Sequence, residues 1–102
     1  MKSELTAEAI LELLRMQQPM LREKFHVQKI GIFGSFARGE ATATSDIDFL
    51  VTIDAPLENY RQCKEALYAY LKHTFGRNVD LANPKSLKPH YKERILSQAI
   101  YA

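Results

Sequence analysis

Gly34-Ser35 is followed ten residues later by Asp46-Ile47-Asp48, an arrangement that sets a phosphate cradle and a pair of carboxylates within one short connection. Glycine lets the backbone approach a ligand with no side chain in the way, and Ser35 adds a hydroxyl. If Ser35 opens a helical turn, the neighbouring backbone N–H groups have no internal partners and form an anion site. Two aspartates side by side repel each other. A cation between them removes the repulsion, and their oxygen ligands suit a hard ion such as magnesium. The pattern points to nucleotide chemistry.

The elements that must position these groups can be read from the flanking residues. Lys29 to Phe33 is a short apolar run ended by glycine, which predicts a buried strand entering a turn. From Asp46 onward, alternation puts Asp46, Asp48, Leu50 and Thr52 on one strand face and Ile47, Phe49, Val51 and Ile53 on the other. Arg77 to Leu81 reads as a further brief strand in which Val79 and Leu81 point one way and Asp80 the other. If that strand joins the same sheet and faces the same core, Asp80 joins Asp46 and Asp48. Three carboxylates can hold two divalent ions, one on a triphosphate and one on an attacking hydroxyl. Oxygen ligands alone do not choose between magnesium and manganese.

The run Gly34-Ser35-Phe36-Ala37-Arg38-Gly39, the gap to Ser45-Asp46-Ile47-Asp48 and the later Asp80 resemble the nucleotidyltransferase superfamily related to DNA polymerase beta. Within it, the short chain resembles the minimal nucleotidyltransferase (MNT) domain that is paired with HEPN-domain proteins. The resemblance covers about Lys29 to Asp80. It implies a palm-like α/β fold, AMP transfer from ATP to a hydroxyl with release of pyrophosphate, and two bound magnesium ions. It also implies that Gly34 and Ser35 hold the beta and gamma phosphates, that Asp46 and Asp48 ligate the metals, and that Asp80 supports the catalytic metal and deprotonation of the hydroxyl. Arg38 falls where the family often has a basic residue near the triphosphate. A guanidinium suits phosphate oxygens, and the alternative is a solvated turn arginine.

Length and charge narrow the acceptor. A chain of 102 residues with 46% hydrophobic content fits one domain, residues 1–102, with one modest core. It leaves no room for template-holding fingers, a thumb or an acceptor domain, so the acceptor is small or is brought by a partner. The net charge of +2 is mild and its lysines and arginines are scattered, which does not call for nucleic acid. Lys85, Lys88, His90, Lys92 and Arg94 form the one basic cluster and read as a solvated helix face, the alternative being a contact for a nucleotide or an acidic partner. Cys63 reads as a buried thiol, and His26, His73 and His90 are too widely spaced to suggest zinc. The start of the chain lacks a signal-peptide pattern and no apolar stretch approaches membrane length, so a cytoplasmic location is expected.

The remaining segments predict support for the site. Leu5, Ala9, Ile10, Leu13 and Leu14 recur at helical spacing, with Thr6 as N-cap and Pro19 as a stop or restart before Met20, Leu21 and Phe25. Glu40 to Thr44 reads as a polar loop beside the nucleotide. After Ala55-Pro56, a long helix presents Tyr60, Cys63, Leu67, Tyr70, Leu71 and Phe75 on one face and stops at Gly76. A final helix is predicted through Tyr91, Ile95, Ala99 and Ile100. The order gives an α/β domain with a small mixed sheet backed by helices. Tyr68, Tyr101 and Ile100 are candidates for one exposed partner patch, and so small a domain can pair with itself or with another chain.

The MNT resemblance further implies an antitoxin that binds a HEPN ribonuclease toxin and adenylylates one of its tyrosines. Two other readings are compatible with these residues. One is a binding module that blocks its partner by occlusion, and the other is a transferase that modifies a small molecule with a partner subunit supplying the acceptor site.

Overall fold

Ile47, Phe49, Val51 and Ile53 alternate with Asp48 and Thr52, and this alternation builds the central strand of the computed structural model, which describes residues 5–102. The elements in chain order are helix α1 (Ala7–Phe25), strand β1 (Val27–Phe33), a four-residue helix α2 (Gly34–Ala37), β2 (Ile47–Ile53), α3 (Leu57–Phe75), β3 (Val79–Ala82), α4 (Pro89–Gln98) and β4 (Ile100–Tyr101). They form a four-stranded sheet in the order β3-β2-β1-β4. β1 pairs antiparallel with β2 and β4, and β2 pairs parallel with β3, so the sheet is mixed as predicted.

One face of the sheet carries the main core. Ile47, Phe49 and Val51 are at most 1% exposed there, packed with Ile10, Leu14, Leu21 and Phe25 of α1 and Leu67 and Leu71 of α3. Phe49 meets the Phe75 ring at 5.8 Å and Phe25 meets Tyr70 at 5.5 Å, tying both long helices to the strands. The predicted face of α3 is the one that packs, although Cys63 is half-buried and not enclosed. Gly76 ends α3 in the left-handed conformation, φ 65°, as its type allows.

Three expectations are corrected. Pro19 does not stop the first helix, which runs unbroken from a Thr6 cap (Oγ1 accepting from Ala9 N–H at 3.1 Å) to Phe25. Proline forfeits one backbone hydrogen bond, but Leu14 before it and Leu21 and Phe25 after it bury on the same side, and that packing holds the helix through. On the same helix Leu11 is buried and Ala9 is exposed, so the stripe is rotated slightly from the predicted one. Finally, the last helix stops at Gln98, and Ile100–Tyr101 form a strand against Gly31 and Ile32. Gly31 permits this crossing, because a Cβ there would run into the Ile100 carbonyl and lie 2.9 Å from the Tyr101 Cα.

Candidate active site

Strand register assembles the candidate residues. Phe33, the last residue of β1, pairs with Asp48, and Asp48 pairs in turn with Asp80 on β3. Gly34 therefore emerges beside the Asp48 carboxylate. Its φ is +75°, and a Cβ at this position would strike Asp48 Oδ2 and lie 3.1 Å from its Cγ. Glycine is needed here for its backbone angle and for room, and the group that occupies that room is the chain's own aspartate. Ser35 is half-buried on the following turn, whose first amides lie at a helix start. The turn closes through Arg38 N–H to the Gly34 carbonyl at 3.0 Å and Glu40 N–H to the Ser35 carbonyl at 2.9 Å.

Asp48 is half-buried, while Asp46 and Asp80 are exposed on either side of it. Asp46 lies just ahead of β2, and Ile47 N–H donates to the Asn78 carbonyl at 3.1 Å, stitching the start of the strand to β3. Burial pushes the Asp48 carboxyl above the ordinary carboxylate range, the charges of Asp80 and Asp46 push it further, and the Arg38 guanidinium partly opposes them. Charge repulsion on one half-buried carboxylate is what a cation would relieve, and the donors are all carboxylate oxygens, so the residues fit magnesium. Among the described residues no group of three or more His, Cys, Asp or Glu side chains is gathered closely enough to hold a metal ion by itself, so the expected trio of Asp46, Asp48 and Asp80 is not assembled as a three-carboxylate site. Magnesium at nucleotide sites is held by one or two carboxylates together with substrate phosphates, and an open arrangement is compatible with that mode.

Arg38 is within electrostatic reach of Asp48 and is held from two sides. Its Nε donates to Glu40 Oε1 at 3.0 Å and its Nη1 to Gln98 Oε1 at 3.3 Å, linking the turn to α4. A hollow of about 430 Å³ opens beside Asp80 and Leu81 and is lined from α3 by Arg61, Lys64, Glu65 and Tyr68. A hollow of about 760 Å³ between the start of α1 and the end of α3 holds none of the three aspartates.

The partner patch expected of Tyr68, Ile100 and Tyr101 does not exist as one surface. Tyr68 stands by β3 at one edge of the sheet and the other two are on β4 at the opposite edge. In the basic cluster Lys85, Lys88, His90 and Arg94 are exposed and Lys92 is half-buried, on or beside a helix with no buried residue.

Arg77 was not singled out by spacing, yet it reaches the site. Its Nη1 donates to the Ser45 carbonyl at 2.9 Å and the Thr42 carbonyl at 3.3 Å, and its guanidinium lies 5.2 Å from the centre of the Phe36 ring. A basic residue following a helix-ending glycine and preceding a strand was the one visible signal.

Residues 14–102 match the nucleotidyltransferase domain family. The chain belongs to the minimal nucleotidyltransferases. This nucleotidyltransferase is 37% identical over 99 residues to the protein adenylyltransferase MntA of Thermococcus cleftensis, covering 95% of this chain and 96% of that one. It is 40% identical over 99 residues to a Methanocaldococcus jannaschii protein named as a candidate protein adenylyltransferase, covering 94% and 97%. Among solved structures it superposes on a toxin-antitoxin crystal structure with AMP-PNP, with a TM-score of 0.62, 27% identity and coverage of 95% of this chain and 72% of that one. The nucleotidyltransferase also superposes on a protein classed as a minimal nucleotidyltransferase, with a TM-score of 0.62, 30% identity and coverage of 97% and 98%. The chain is thus a nucleotidyltransferase enzyme with the mixed-sheet fold of that family.

Proposed function

We propose that this enzyme is an antitoxin that transfers AMP from ATP to a tyrosine hydroxyl of a HEPN-domain toxin, working in the cytoplasm as a single domain. The observation that carries the reading is the row formed by the Gly34 backbone, Asp48 and Asp80 across three adjacent chain segments. The names of the adenylyltransferase relatives and the toxin-antitoxin structure support the class of acceptor.

Gly34 and Ser35 receive the beta and gamma phosphates on the backbone amides of their turn, and Arg38 exchanges Glu40 for a phosphate oxygen. Asp46, Asp48 and Asp80 hold magnesium, with manganese able to replace it. Bound there, magnesium supplies charge neutralisation on the phosphates and acidification of the attacking hydroxyl. Asp80 borders the hollow on the α3 side, the entry for the acceptor, and draws the proton from its hydroxyl. The hydroxyl oxygen bonds to the alpha phosphorus as the bond from that phosphorus to the bridging oxygen breaks, and pyrophosphate leaves. In-line positioning and a prearranged field provide most of the acceleration.

The test is to mix the protein with the product of its neighbouring gene, labelled ATP and magnesium, and to locate label by mass spectrometry. Label on a tyrosine of the neighbour, absent with Asp46→Ala and with Asp48→Ala, is the expected result. Neutralisation of the toxin that survives both substitutions without label would establish occlusion instead. Label confined to small-molecule products would assign a different acceptor.

A further inference from the structure

The loop between the glycine-serine turn and Asp46 is closed on itself. Thr42 N–H donates to Ser45 Oγ at 2.8 Å, and Ser45 N–H donates to the Thr42 carbonyl at 3.1 Å. These bonds shape the loop, but they do not fix where it stands relative to the sheet. Arg77 supplies that fix from a distant part of the sequence. Its Nη1 donates to both the Thr42 and Ser45 carbonyls, the second of which belongs to the peptide bond entering Asp46. The same guanidinium lies over the ring of Phe36, the buried residue that follows Gly34-Ser35, at 5.2 Å from the ring centre. Gly76, in the left-handed conformation, turns the chain just before Arg77, and the Asn78 carbonyl just after it accepts from Ile47 N–H at 3.1 Å.

We propose that Arg77 is a positioning residue for nucleotidyl transfer, one guanidinium that sets the distance between the phosphate turn and the Asp46 carboxylate. This rests on the roles proposed above for Gly34, Ser35 and Asp46. The geometry explains why the residue is arginine. Two carbonyls and an aromatic face must be served at once, and a planar cation with several donors does this where an ammonium offers donors without the flat face. Arg77 touches none of the reacting atoms. Its effect passes through Phe36 on one side and through Ser45 on the other.

Arg77→Ala and Arg77→Lys test the assignment, beside Asp46→Ala and Asp48→Ala. Pyrophosphate release from ATP with magnesium and the product of the neighbouring gene as acceptor gives kcat and KM, calorimetric titration with ATP gives affinity, and hydrogen exchange gives the local amide protection. In Arg77→Ala, kcat/KM falls about 100-fold, because a displacement on the order of 1 Å at a reacting group is felt at that scale. KM for ATP rises as well as kcat falling, since the phosphate turn and the carboxylate are both released. Exchange quickens at the Ser45 and Ile47 amides and is unchanged in the β1–β2 ladder. Arg77→Lys recovers part of the loss, and millimolar guanidinium in solution restores part of the activity of Arg77→Ala.

A kcat/KM within about threefold of wild type overturns the proposal. So does a fall in kcat at constant KM with exchange faster throughout the sheet, which would mean that Arg77 only supports folding. If Asp46→Ala and Asp48→Ala keep their activity, the site assignment itself has failed. If they lose it while Arg77→Ala does not, only the positioning role has failed.

Discussion

The two faces of β2 are built to opposite specifications. On one, Ile47, Phe49, Val51 and Ile53 lie against two nineteen-residue helices. On the other, Asp48 and Thr52 remain half-exposed and only Leu50 is sealed, outside the main core cluster. α4, the helix linked to the glycine-serine turn through Gln98, has no buried residue and leaves Leu96 38% exposed. Stability is concentrated on the first face, and the charge that disfavours folding is placed on the second. The strand between them lets the first restrain the second.

The sharpest way to break this division is to remove function without removing the fold. Asp46→Ala and Asp48→Ala should each lower AMP transfer on the order of a thousandfold while leaving the urea midpoint at or above that of wild type. Phe49→Ala should do the reverse in character, costing about 3–5 kcal/mol of stability in denaturant titration, because a fully buried ring leaves a cavity. Leu96→Ala on α4 is its control and should stay within about 0.5 kcal/mol. Gly34→Ala stands between the faces. Its positive φ should cost about 1–3 kcal/mol, and the added methyl displaces the Asp48 carboxylate, so stability and transfer fall together.

The smallest effect sharpens the electrostatic half of the comparison. The fold raises the Asp48 pKa, so the native state favours its protonated form. The stability linked to that proton is fully present below about pH 4 and is lost as pH rises through the raised value. In chelator, Asp48→Asn should therefore melt at the same temperature as wild type in acid and at a higher one at neutral pH. Adding magnesium and ATP should raise the melting temperature of wild type and not of the variant. A gap that narrows with rising pH would show that the carboxylate is stabilised by its surroundings.

What the chain disclosed about itself followed the range of the interactions. Alternation along Ile47–Ile53 and around Asp80 is local and fixes which side each carboxylate takes, while the pairing of Asp48 with Asp80 is supplied by the sheet. The helical stripe of α3 and its Gly76 stop are local too. The features that went unread depend on distant partners. Pro19 is carried through α1 by packing against residues far along the chain, and the Ile100–Tyr101 strand exists because Gly31 clears a path for it. Arg77 meets Ser45 across 32 positions of sequence, and nothing near Arg77 announces the carbonyl it will find. The supposed patch of Tyr68, Ile100 and Tyr101 failed for the same reason, since helix position alone does not say which edge of a sheet lies beneath.

The pairing of Asp48 with Asp80 has an evolutionary consequence. Ile47 meets Val79 and Phe49 meets Leu81 in the same parallel ladder, so one inserted or deleted residue in β3 would turn its carboxylate inward and its aliphatic neighbours outward. Such a change would lose the core and the alignment of the two carboxylates in a single event. Length variation in this segment should therefore be tolerated less well than most substitutions within it.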